Sequence, residues 1–183
     1  MTPTIGRNTY LQRLVGAAAL DRAIYEEVEA DGRATVQAGA TVLLSSIAAG
    51  LGSVGLGGNA AANVAFVSVV ALLAWAAWAL VIFEIGVRLM PQQETQSNVG
   101  ELMRTIGFAT APGVLRVLGV IPEVTVPVFA ITALWMLAAM IVAVRQALDY
   151  QSTLRAIAVC GLGWVLATAM AIVLGLAFGP SLS

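Results

Sequence analysis

The sequence predicts an all-α fold, a polytopic transmembrane bundle of five spans preceded by an N-terminal cytoplasmic helix. Three observations predict it: an apolar composition, one charge-free stretch too long for a single crossing, and three further apolar runs behind it. Of the 183 residues, 60% are hydrophobic and 10% charged, against about a quarter charged in a soluble domain. A water-soluble fold must clothe its outside in polar groups. Lipid as solvent removes that demand.

The 50 residues from Ala34 to Phe83 carry no charge, and at 1.5 Å per residue they exceed a hydrocarbon core of about 30 Å. The chain must fold back, and Gly50, Gly52, Gly55, Gly57, Gly58 and Asn59 mark where. The first two spans are therefore expected over about 34–54 and 63–89. Pro91 and the polar residues to Asn98 form a loop. A third segment, 99–120, carries Glu101, Arg104 and Arg116 and is interrupted by Pro112-Gly113. It reads as a kinked span or as an embedded helix pair that does not cross. After a turn at Ile121-Pro122-Glu123, residues 124–144 have the length of one crossing. Arg145, Asp149, Gln151 and Arg155 mark a connection, and 156–178 forms the last span. The organisation is thus a segment 1–33 followed by a membrane domain 34–183.

All nine basic residues are Arg. With five spans, eight of them fall on one side, and only Arg116 lies near the other. Basic residues accumulate in cytoplasmic loops, so the N-terminus is placed inside, the C-terminus outside, and the protein in the inner (cytoplasmic) membrane. The first 33 residues lack the pattern of a cleaved signal, and the first span is expected to act as an uncleaved anchor. Residues 8–30 read as one helix, with Leu11, Leu14, Val15 and Ala18 on one stripe and Ile24, Tyr25 and Val28 on a shifted one. It either packs under the bundle or lies on the membrane surface, where Glu26, Glu27, Glu29 and Asp31 oppose anionic lipid. Asp31 is a candidate cap for the first span.

Charges within spans are costly and therefore candidate sites. Glu84 and Arg88 have the favourable i,i+4 spacing, and Glu101 and Arg104 enter the membrane from the same edge. Together Glu84, Arg88, Glu101 and Arg104 form a candidate intramembrane cluster, either a clasp between helices or an ion or proton site. Arg116 is expected to snorkel outward or to meet Glu123. Gly39, Ser46 and Gly50, Gly161 and Gly163, and Pro112 are candidate helix-packing residues, since small side chains permit close backbone approach. Trp75, Trp78, Trp135 and Trp164 lie mid-run and read as packing or lipid-facing residues.

Several chemistries lack their residues. There is no histidine, which removes His ligation of haem and His-based triads. The single cysteine, Cys160, permits no internal disulfide. The glycine cluster at 50–58 lacks the context of a phosphate loop, and Ser45 and Ser46 have no His or Lys to activate them. No catalytic, cofactor or metal site is predicted.

Three segments resemble the Yip (Ypt-interacting protein) domain family, in particular its bacterial members. They are Ile24-Tyr25-Glu26-Glu27-Val28-Glu29-Ala30-Asp31 with Gln37-Ala38, the run from Val99 to Pro112 containing Gly107-Phe108-Ala109, and Val142 to Tyr150. The resemblance runs from about residue 20 onward and implies a five-span domain with a cytoplasmic N-terminus. Eukaryotic relatives look like trafficking adaptors that contact small GTPases, but their acidic-aromatic motif is not visible here. The expected function is non-enzymatic, through contacts with membrane lipid, other membrane proteins or a second copy, without nucleic acid. The alternative is a transport or permeation component built on Glu84 and Arg104; an enzyme acting on lipid comes third.

Overall fold

A computed structural model describes the backbone of residues 8–56, 60–89 and 99–178, with side chains for 8–56, 64–86 and 99–166. The turn at 57–59, the polar loop at 91–98, Arg7, the Arg88 side chain and the tail beyond 178 lie outside the described residues. Among those described, every regular element is helical. Two short helices come first, α1 (Tyr10–Ala18) and α2 (Arg22–Ala30). Then follow α3 (Ala34–Gly52) with a 3-10 turn (Ser53–Leu56), α4 (Ala60–Phe83) ending in a π-helix (Glu84–Leu89), and α5 (Val99–Phe108) followed by a 3-10 helix (Ala111–Val120). The chain closes with α6 (Pro122–Ala147) and α7 (Thr153–Phe178).

The single helix expected over 8–30 is instead a hairpin. Thr9 and Gln12 close a capping box at the start of α1, and Leu20 turns through a positive φ of 63°. Asp21 then caps α2 by accepting the Ala23 amide at 3.0 Å. Gly16 lets α2 fold back, because a Cβ there would stand 2.5 Å from Ile24. The shift of the apolar stripe between Ala18 and Ile24 is the sequence trace of this break.

Three stretches, Ala34–Leu56, Val64–Gly86 and Pro122–Ala147, are long and apolar enough to cross a membrane, and α7 is apolar over Thr153–Leu166. Their outer faces present large apolar side chains, Phe66 at 68% and Leu134 at 70% exposure among them. Side chains exposed along whole helices in this way identify a membrane protein. The helix ends differ from the expected ones by a few residues. Pro122 sits in the first turn of α6, where its missing N–H costs nothing, so the helix absorbs the expected turn. α7 starts at Thr153 and takes in Arg155.

Residues 99–120 are two helices. Pro112 cannot donate to the carbonyl four residues back, and beyond Phe108 the chain tightens into ten residues of 3-10 helix, well past the usual three or four. Thr110 supports the junction by donating to the Gly107 carbonyl at 2.7 Å. This pair of helices runs parallel to α3, as the glycine contacts show. Gly107 lies against Ala38, Gly113 against Ser45, Gly52 against the Arg116 carbonyl and Gly55 against the Gly119 carbonyl. From Ala38 to Gly55 the shared path rises about 25 Å. α6 descends antiparallel on the other side, with Phe129 against Gly119 and Met136 against Gly113. α4 descends from Gly50, which meets Val64 and Ser68. Below, the base denotes the end of the bundle where α3 begins.

The large buried side chains gather at that base: Tyr25, Leu102, Ile106, Phe108, Ile82, Ile85, Val144 and Leu148. α1 lies across the outer side of the α5 to 3-10 junction. The Tyr10 hydroxyl is 3.2 Å from Thr41 Oγ1, its ring tilts against Phe108, and the Trp135 indole donates to the Ala18 carbonyl at 2.7 Å.

Candidate functional site

The polar residues concentrate where the hairpin meets the bundle. Arg13 on α1 is 2% exposed and uses its whole guanidinium. Nε and Nη2 donate to Glu27 Oε1 at 3.0 and 2.7 Å, Nη2 also to Asp31 Oδ2 at 2.8 Å, and Nη1 to Gln37 Oε1 at 2.8 Å. One cation thereby ties α1, α2 and the first turn of α3. Asn8 holds Glu27 from the other side through its backbone and side-chain amides. Burial works against charge on both partners, but the mutual hydrogen bonds outweigh it: the Arg13 pKa is raised and that of Glu27 lowered. Asp31 also accepts the Arg33 amide at 3.1 Å, just before α3, so it braces the entry to the first span while serving Arg13.

Arg104 projects from α5 to the C-terminal end of α2. Its Nε donates to the Val28 and Glu29 carbonyls at 3.1 and 3.2 Å, and Nη2 donates to Glu29 as well. Carbonyls at a helix C-terminus lack intrahelical donors and carry partial negative charge, so a guanidinium there satisfies both demands. The Glu29 side chain sits beside this contact. Burial, aided by Asp149 and Glu101 and opposed by Arg104, pushes its pKa up to about 7.

Of the four residues of the predicted charge cluster, three have described side chains, and Arg88 does not. Glu84 is exposed on the π-helix, Glu101 is half-buried in the first turn of α5, and the Arg104 guanidinium is directed at α2. The π-helix also carries Gly86, whose carbonyl accepts the Tyr150 hydroxyl at 3.1 Å and which leaves room for Leu148. Towards the far end, Arg116 is drawn inward, not to Glu123. It donates to Thr132 Oγ1 at 3.3 Å and lies 5.4 Å over the Phe129 ring.

Of the predicted packing residues, Gly50 meets α4, Gly163 meets Ile82 and Trp78, and Ser46 and Pro112 are buried, whereas Gly39 and Gly161 face open space. The closest approaches are at Gly52, Gly55 and Gly113, followed by the predicted Gly50. Trp75 and Trp78 pack against the core, while Trp164 is 61% exposed.

The family model for the Yip1 domain matches residues 21–175. This chain belongs to the Yip1-domain family. No curated protein and no solved structure matches it. The matched segment opens at Asp21, the cap of α2, so α1 lies ahead of the Yip1 domain. Arg13, the cation that Glu27 and Asp31 of the domain share, comes from outside the matched residues.

Among residues that sequence reasoning passed over is Arg13. It lies one turn from Ala17 on the face of α1 that is buried, whereas Leu11 and Val15 of the expected stripe are exposed. Nothing local marks Arg104 as the cap of α2, since donor and acceptors are more than 70 residues apart.

Proposed function

We infer that the protein is a non-enzymatic membrane component whose activity is contact: with a second copy, with other membrane proteins, or with lipid. It crosses the membrane five times, the base and hairpin are cytoplasmic, and the far end lies outside. The observation that carries this reading is the backbone-close seam between α3 and the 3-10 helix, packed over by α6 side chains. The interior there is filled by glycine-to-carbonyl approach, which supports a rigid scaffold over a hydrated path. The parallel course of α3 and 99–120 supports the fifth crossing, because both ascend from base to far end over about 25 Å. The base also holds the arginines expected at a cytoplasmic face, and an Arg-rich, Lys-free composition suits a GC-rich bacterium.

α4 adds the surface for such contacts. Phe66, Val69, Leu73 and Leu80 stand exposed along it, an apolar face directed away from its own bundle. Purification in a mild detergent, with mass measurement and identification of what co-purifies, tests the reading. A defined homo- or hetero-assembly is the expected result. A lone monomer that conducts solute when reconstituted in liposomes would instead favour a permeation role for Glu84 and Arg104.

A further inference from the structure

The geometry points to a binding site for the phosphate of an anionic phospholipid, in a notch at the base between the start of α2 and the end of α6. Its wall is Arg22, Ile141, Val142, Arg145, Gln146 and Thr153. Two guanidinium groups arrive from separate elements and no carboxylate lines the notch. Arg22 is exposed and has no hydrogen-bond or ion-pair partner among the described residues. Arg145 is positioned by its own connection: Nε donates to the Tyr150 carbonyl at 3.2 Å and Nη2 to Gln151 at 3.5 Å, which leaves Nη1 for a ligand. Gln146 and Thr153 add neutral donors. The pair suits phosphate because Arg22 can present parallel N–H groups to its oxygens and Arg145 adds the N–H groups of Nη1.

The apolar part of the wall distinguishes a lipid from a free anion. Ile141 and Val142 lie one turn above Arg145, and the same faces continue upward through exposed Leu137 and Leu134 on α6 and Ile157 on α7. These residues stand four or seven positions from the notch residues, so they share its side of each helix. An acyl chain laid along that track places its phosphate at the level of Arg145, the first charge after the apolar run of α6. Basic pockets between helices on the cytoplasmic side are suited to lipid headgroups on the same electrostatic grounds. The assignment rests on the reading of the base as a membrane–water boundary.

The test uses the full chain in neutral detergent and follows thermal unfolding with phosphatidylglycerol, phosphatidylcholine or inorganic phosphate added. Phosphatidylglycerol is expected to raise Tm in a saturable way, and phosphatidylcholine and phosphate are not. Arg22→Gln, an exposed change, should leave the lipid-free Tm as it is and weaken the apparent lipid affinity about fivefold. Arg33→Gln, an exposed arginine also at the base but off the notch, should change neither. An equal shift with phosphatidylcholine, a full shift with phosphate alone, or an unaltered response of Arg22→Gln would overturn the assignment. Self-association and terminal orientation do not enter this readout, so its failure is separable from failure of the contact reading.

Discussion

Adding one methyl group at two glycines of the same helix should have opposite effects. Gly52, at the end of α3, faces the 3-10 helix so closely that a Cβ would stand 2.9 Å from the Phe129 ring and 3.0 Å from the Arg116 carbonyl carbon, with the carbonyl oxygen nearer still. Part of that neighbour is backbone and cannot swing aside. Overpacking of this kind costs about 1–3 kcal/mol, and the helix-propensity gain of alanine over glycine returns at most about 1 kcal/mol. Gly39, about three and a half turns earlier, has nothing within 4 Å of an added Cβ, so Gly39→Ala should be neutral or stabilising by up to about 1 kcal/mol. Reversible unfolding in mixed micelles on titration with sodium dodecyl sulfate would measure both. Gly52→Ala should fall below Gly39→Ala by about 2 kcal/mol, the overpacking cost set against a propensity gain common to both. Indistinguishable midpoints would refute the close seam between α3 and residues 111–120.

Three other perturbations probe the base. Arg13→Ala leaves Glu27 and Asp31 without their shared cation in a buried site, and should cost about 3–5 kcal/mol in the same unfolding assay. Arg104→Gln removes the charged donor from the end of α2 and should cost about 1.5–3 kcal/mol, read also as faster amide exchange in Val28 to Ala30. Glu29 gives a pH signature: its folded pKa, about 7, lies above its ordinary value. Its contribution is therefore full below the unfolded pKa near 4.5 and is lost as pH rises to about 7. Glu29→Gln should flatten that decline and leave the protein more stable than wild type at pH 8. Glu27, with its lowered pKa, acts in the opposite sense at the acid end.

The membrane class and the run of apolar helices were legible in the sequence because lipid imposes them through composition and length alone. The break at Pro112 was legible for a local reason, the missing N–H, but its consequence was not. Whether 99–120 turns back or continues depends on what Gly107, Gly113 and Gly119 touch, and those partners lie on α3 and α6. The same limit hid the hairpin: a shifted stripe at residues 18–24 was visible, yet the turn depends on Leu20 in a left-handed conformation that its residue type does not advertise. Charges were located correctly along the chain but not in space. Arg104 is drawn to backbone carbonyls of α2, and no sequence spacing between side chains reveals a backbone acceptor. Arg116 likewise finds a ring and a hydroxyl on α6, at positions that only the antiparallel register brings opposite.

The crossing of residues 99–120 is tested most directly by thiol labelling on intact cells. In a Cys160→Ala background, Val99→Cys and Glu123→Cys place single exposed cysteines at the two ends of that segment. An impermeant reagent should modify the cysteine at 123 from outside and reach the one at 99 only after the membrane is opened. Equal labelling of both before permeabilisation, or of neither, would put the two ends on one side and contradict a five-span Yip1-domain bundle.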